Sequence, residues 1–289
     1  MQLLYKVNLA LLAAFGAGFM VTASLTNDVL QENAKREVIG NASLMMEAAM
    51  AARSYTSSEI KPLLAARLAQ EFLPQSVPSY AATQSFAKLH ATYPNYSYKE
   101  ATLNPTNPRD RVVEWEADVV RNLRDHPDLK EMVGERVSAA GPSLYLARPI
   151  EIKEGQCLAC HSTPAAAPAS MKALYGDANG YGWKLHEIVG SQIVSVPLAV
   201  PLQQAARAMR VIMLGMLATF GAILLVVNLV LYLLVLRPMG RITRLADAVS
   251  SGAKETPQFE LSGNDEIAVL NNAFKRMRTS LEKAMALLA

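Results

Sequence analysis

Val211 to Leu236 is a run of 26 residues without a charged side chain, bounded at its far end by Arg237. Nothing constrains the fold of this chain more. A segment of that length and composition is long enough to cross a bilayer, where it must be helical because each backbone N–H and C=O has to be satisfied within the segment. A second apolar run, Val7 to Leu25, is interrupted only by Asn8, Thr22 and Ser24 and follows a short head carrying Lys6. Its 19 residues approach the roughly 20 needed to span and exceed the roughly 7–15 of a signal-peptide core. Val21-Thr22-Ala23 also has the form of a cleavage site, so a removed signal sequence stays open beside the anchored form. Lys6 before the first run and Arg237, Arg241 and Arg244 after the second place both chain ends in the cytoplasm, against a weaker count from Arg207 and Arg210. The organisation expected is a transmembrane helix over 1–25, an external domain over 26–207, a second transmembrane helix over 211–236 and a cytoplasmic segment over 237–289.

The external segment contains both cysteines of the chain, in Cys157-Leu158-Ala159-Cys160-His161. C-x-x-C-H is the pattern of covalent c-type haem attachment: the thiols, one short turn apart, form thioethers to the haem vinyls, and the histidine ligates the iron. A redox-active or structural dithiol is the bland alternative, but it leaves His161 to chance, and no βαβ pattern surrounds the motif. A zinc site fits less well, because there is no second cysteine pair and His90, His126 and His186 are scattered. One covalent haem c is expected, with Cys157 and Cys160 as thioether residues and His161 as proximal ligand. C-type haem is assembled outside the bacterial cytoplasm, so this motif and the topology agree on a periplasmic domain in the inner membrane.

The net charge of +3 and pI near 8.8 are mild and partly juxtamembrane. No basic stripe with interleaved aromatics is present, and nucleic acid is not an expected partner. From Thr26 to about Phe72 the chain reads as one long helix continuing out of the first span, with good helix formers at Ala48 to Arg53 and a break or kink at Pro62. Tyr96 to Leu103 alternates aromatic and polar residues. Ser143 to Ile152 reads as a strand ending near Pro149, and Ile188 to Val196 as one interrupted by Gly190 and closed by Pro197. Val112 to Leu123 reads as a helix with Val113, Trp115 and Val119 toward a core. The fold class is α+β, a small antiparallel sheet flanked by helices.

Short motifs extend the pattern. They are Ala52-Arg53-Ser54-Tyr55-Thr56 with Lys61-Pro62-Leu63-Leu64, then Tyr93-Pro94-Asn95-Tyr96 and Asn104-Pro105-Thr106-Asn107-Pro108. Tyr145-Leu146-Ala147-Arg148-Pro149, Cys157 to His161, Gly180-Tyr181-Gly182-Trp183 and Val194-Ser195-Val196-Pro197 complete them. In this order, over roughly Glu32 to Pro201, they resemble a family of bacterial c-type haem sensor domains long known as a domain of unknown function. The resemblance implies a PAS-like sheet with a long N-terminal helix, a single haem c, and a role in sensing redox state or a small ligand. Family members are understood to take the second axial ligand from a cysteine of the N-terminal helix region, and here no third cysteine exists. Met45, Met46 and Met50 offer thioethers on the corresponding helix, with core or interface packing as the competing role of each. His186 is the nitrogen donor to be weighed beside them. His90, a surface His126 and an oxygen donor at Tyr55 rank lower, and the choice stays open.

After the second span, Ile242, Leu245 and Val249 form a short coiled-coil seam that ends at Ser250-Ser251-Gly252. A connector through Pro257, Phe259 and Leu261 leads to a second seam that opens at Asp265-Glu266 and runs through Ile267, Leu270, Phe274, Met277, Leu281, Ala284 and Leu288. Two such seams after a membrane-proximal Pro238 resemble a HAMP domain, with Ala268 where the family usually carries glycine. Seams of this kind bury themselves against a partner copy, so a homodimer is implied. No kinase, cyclase or methyl-accepting region follows before Ala289, so output is expected through a separate cytoplasmic partner such as a kinase or cyclase, with membrane lipid as the other contact. The function expected is a transmembrane haem sensor of redox state or a diatomic gas; the alternative is a membrane-anchored monohaem cytochrome for electron transfer. No catalytic base constellation is visible, and enzymatic turnover is not expected.

Overall fold

The computed structural model describes residues 2–138, 141–251 and 265–288, so the connector with Pro257, Phe259 and Leu261 lies outside the described residues. The chain divides into two compact units, Thr26–Met209 and the combination of Met1–Leu25 with Arg210–Ala289.

In the unit Thr26–Met209, strands β1 (Ser97–Thr102), β2 (Met132–Ser138), β3 (Gly141–Glu151) and β4 (Ile188–Pro197) form one antiparallel sheet in the order β1-β4-β3-β2. Period-two alternation gives the sheet two buried faces. Leu144 and Leu146 of β3, Val194 and Val196 of β4 and Tyr98 of β1 pack with Val38, Ala42, Met46 and Ala49 of helix α1 (Gln2–Tyr55) and with Ala82 and Phe86 of helix α4 (Pro78–Thr92). Their sequence neighbours Tyr145, Ala147, Ile193 and Ala101 face the other way, onto Val119 and Leu123 of helix α5 (Glu114–Asp125). Burial of each large apolar side chain contributes about 1.5–3 kcal/mol, and α1 supplies its share from positions three or four apart, one helical stripe.

The regular helix is interrupted around Pro62, as expected. Thr56–Ile60 form a π turn, in which the Lys61 N–H donates to the Thr56 carbonyl, and the short helices α2 (Lys61–Leu63) and α3 (Ala65–Leu68) follow. A proline ring clashes with the carbonyl four residues earlier, here that of Ser58, and widening the preceding turn relieves the clash. β3 ends at Glu151, close to Pro149 as expected, and Pro149 pairs with Ser191, beyond Ala147, the last β3 residue paired with β2. It therefore occupies a stretch where β3 is a local edge, which tolerates a missing donor. Val113 is exposed rather than buried, because it caps α5, its N–H donating to the Glu116 carboxylate at 2.9 Å. Two further elements carried no clear sequence signal. β2 places Gly134, Glu135 and Arg136 at its centre, and α4 is rich in alanine and hydroxyl residues without a strong apolar stripe.

In the unit containing the membrane runs, the first part of α1 meets helix α8 (Ala199–Val230). Phe15 stacks on Phe220 with ring centroids 4.2 Å apart, and the amides of Asn8 and Asn228 exchange two hydrogen bonds of 2.8 Å. An unpaired amide in hydrocarbon is costly, so the reciprocal pair fixes the register of the two runs. A second π turn, Leu231–Leu236, precedes Pro238, and helix α9 (Arg237–Ser250) follows. Helix α10 (Glu266–Leu288) starts at Asp265, whose carboxylate accepts the Ala268 N–H at 2.8 Å, and it turns Ala268 and Asn271 into buried positions. Ile242 is buried, while Leu270, Met277 and Leu281 of the expected seam stay exposed.

Gly190 shows why the β1–β4 register is specified. It sits opposite Thr102, and a Cβ there would meet the Ala101 carbonyl and Thr102. Gly190→Ala is expected to cost about 1–3 kcal/mol of stability, read as a lowered thermal midpoint of the detergent-solubilised protein by near-UV circular dichroism.

Candidate functional site

The α1 face of the sheet changes character toward one end. Tyr98, Val194 and Leu146 are cross-strand neighbours in its apolar part, and the next same-face positions are Glu100, Gln192 and Arg148. Beyond them the sheet forms one wall of a cavity of about 470 Å³, through Glu100, Thr102, Ile150, Ile152 and Val189. The α1 stripe changes in parallel: after Ala49 the next positions are Arg53 and Ser57, and both line the cavity.

Cys157, Cys160 and His161 lie in the same wall, on and at the end of helix α6 (Gly155–His161). Both cysteines are free thiols, Cys157 exposed and Cys160 half-buried. Burial pushes the Cys160 thiol up, against the pull of the Lys61 ammonium. His161 is held from several directions. Its Nδ1 donates to the Gly180 carbonyl at 2.7 Å, with the Thr106 hydroxyl at 3.3 Å, and its ring stacks on Trp183 at 4.0 Å and 13°. Burial lowers its pKa, with the Gly180 bond acting in opposition, so the neutral ring is favoured. With the proton committed to Nδ1, Nε2 keeps its lone pair, the form in which imidazole binds a metal.

The loop that makes these contacts depends on Gly180. Its φ is +85°, and a Cβ would run into Thr106. Asn104 clamps the same loop, accepting from the Gly180 N–H and donating to the Tyr181 carbonyl, each at 3.1 Å. The Gly182 and Trp183 N–H groups donate to the carbonyls of Ser162 and His161. Segments around 104–106, 157–162 and 180–183 thus close on one imidazole.

Of the expected second-ligand residues, none of Met45, Met46, Met50 and His186 lines the cavity. Met46 is fully buried in the sheet core, with Met45 packed beside it, and Met50 lies against Gln192, whose Nε2 is 3.4 Å from its sulfur. His186 is largely exposed at a φ of +63° and pairs with Glu151 at 3.3 Å. Tyr55, His90 and His126 are exposed, as expected for His126. Met171 of helix α7 (Ala169–Tyr175) does line the cavity and is 2% exposed. Sequence reasoning also gave no role to Arg53 and Glu100. The alternation around β1 carried the signal, since it places a carboxylate on the same face as Tyr98.

Two apolar helices, a sheet domain whose cavity is lined by a C-x-x-C-H motif, and paired amphipathic helices define a membrane protein that joins a binding domain to a coiled-coil segment. A family model described as Tll0287-like matches residues 31–197, and the chain belongs to that family. A model of the HAMP domain matches residues 230–283, in line with the two seams. Among solved structures, the crystal structure of the cyanobacterial haem protein Tll0287 is similar at 16% identity, over 56% of this chain and 95% of that one, with a TM-score of 0.43. No curated protein matches the sequence.

Asp110 lies at the cavity rim with its side chain 13% exposed, 3.3 Å from Arg109. Burial raises its pKa more than Arg109 lowers it. A carboxyl raised in the folded state favours folding below its unfolded pKa of about 3.9 and loses that contribution as pH rises through the folded value. Asp110→Asn is therefore expected to raise the thermal midpoint by about 2–4 °C at neutral pH. The gain should vanish below about pH 4 in a melting series across pH.

Proposed function

We propose that this protein is a transmembrane haem sensor in which one haem c is held by Cys157, Cys160 and His161. The observation that carries this reading is the convergence of both thiols and an Nδ1-protonated imidazole on the wall of one cavity, whose volume of about 470 Å³ lies in the range of cofactor sites. The residues present suit the group. Phe72, Val77, Ile152, Met171 and Val189 offer apolar surface to a macrocycle, and Lys61 and Arg109 are cations available to its carboxylates. When bound, haem supplies an iron whose oxidation state and coordination register redox state or a diatomic gas.

The chain's own groups then have separate tasks. Gly180 and Thr106 hold the imidazole orientation, and Trp183 stacks on the ring and blocks its rotation. Among the methionines it is Met171, rather than those expected on α1, whose thioether lines the cavity. The sheet domain is periplasmic in this reading, with both ends of the chain in the cytoplasm of a bacterial inner membrane. The exposed Leu270, Met277 and Leu281 are covered by a second copy in a HAMP homodimer, which passes the signal to a separate partner. No turnover chemistry is assigned.

Replacing Cys157 and Cys160 together by alanine should abolish haem staining on a denaturing gel, and survival of the stain at the wild-type level would defeat the attachment. His161→Ala should keep the stain and change the visible spectrum. A periplasm-active reporter inserted near Pro168 should be active and one fused after Ala289 silent; the reverse pattern rejects the topology.

A further inference from the structure

The stripe of α1 that covers the sheet ends on a charge. Arg53 follows Ala49 by four residues and meets Glu100, with Nη1 at 2.5 Å from both carboxylate oxygens. The Glu100 side chain is only 4% exposed. Its Oε1 also accepts from the Tyr98 hydroxyl at 2.8 Å, and the Tyr98 oxygen accepts from Gln192 Nε2 at 3.2 Å. Burial, reinforced by Glu100, pushes the Tyr98 phenol up, so it remains a neutral donor. Arg53 and Glu100 both line the cavity that contains His161. A buried ion pair is weak evidence for stability, because apolar residues of the same volume often serve as well. Attachment and ligation by Cys157, Cys160 and His161 make no use of it.

We propose that the Arg53–Glu100 pair sets the reduction potential of the haem iron and ties that potential to the position of the last turn of α1. The proposal rests on the haem reading above. Oxidation adds one positive charge at the iron. In a cavity wall of low effective dielectric, the Glu100 carboxylate favours the oxidised form and the Arg53 guanidinium the reduced form. Held together they nearly cancel. Separation of the two unbalances them and moves the potential. By reciprocity, a change of iron charge draws Glu100 and repels Arg53, which biases the helix that carries Arg53. The other charged or titratable groups around the pair are Tyr98 from β1, Arg148 from β3, Arg109 and Asp110 from the segment after β1, and Lys61 from α2, while Cys157 of α6 is uncharged as a thioether.

The test is a spectroscopic redox titration of the full-length, haem-loaded protein in detergent, with dithionite and ferricyanide. Glu100→Gln leaves Arg53 uncompensated and is expected to shift the couple toward ferrous iron by about tenfold, about 59 mV upward for one electron. Arg53→Gln leaves Glu100 uncompensated and should move the potential downward by a comparable amount. The double variant removes both charges and should return close to wild type; it also covers the case in which Glu100→Gln alone fails to fold. Potentials that stay at the wild-type value in both single variants, or that move in the same direction, overturn the proposal. A wild-type protein without the covalent haem spectrum removes the underlying reading as well, so the two failures are told apart in one experiment.

Discussion

The packing of α1 on one face of the sheet is the interaction on which the rest depends. A sheet with two apolar faces has to cover both, and here α5 covers one while α1, with α4, covers the other. The covering stripe of Val38, Ala42, Met46 and Ala49 is fully buried, and Met46 supplies its one long side chain. The same stripe then supplies Arg53 to the cavity, and the π turn that follows supplies Ser57. Core and site are consecutive stretches of one helical face, and a shift of the helix along the sheet displaces both together.

The cavity is organised by backbone as much as by side chains. His161 takes its orientation from a carbonyl, and that carbonyl is delivered by a loop whose glycine occupies a region closed to other residues. Asn104 closes the arrangement from the far side of the sheet domain's sequence. Such a site is rigid where it needs geometry, at the imidazole. The charged groups Arg53, Lys61 and Arg109 line the same cavity, with Arg53 and Arg109 held by Glu100 and Asp110.

Legibility in the sequence followed the range of the signal. The apolar runs, the β-branched stretch Ile188–Val196 and the C-x-x-C-H motif are local patterns, and each corresponds to a local element. β2 was hidden because Gly134, Glu135 and Arg136 blur its alternation, and its place is fixed by pairing with β3. Pro62 and Pro149 marked real boundaries, the interruption of the long helix and the end of β3, and each sits where a missing donor is tolerated, after a widened turn or on an unpaired edge. The partners of His161 were visible only as short motifs without a role, because Thr106 and Gly180 reach it from 55 and 19 residues away. The methionines of α1 read as ligands from their position, yet Met46 fills the core because a flexible thioether suits an irregular gap.

The two π turns have a further consequence. Thr56–Ile60 and Leu231–Leu236 each end two residues before a proline, Pro62 and Pro238. Each accommodates one residue more than an α ladder requires. Loss of a single residue from either turn can be absorbed by tightening it to an ordinary α turn, which leaves the side chains beyond it close to their original direction around the axis. A deletion elsewhere in the same helices has no such slack and turns every later side chain by about 100°. The two turns are thus the places where these helices can change length without changing face.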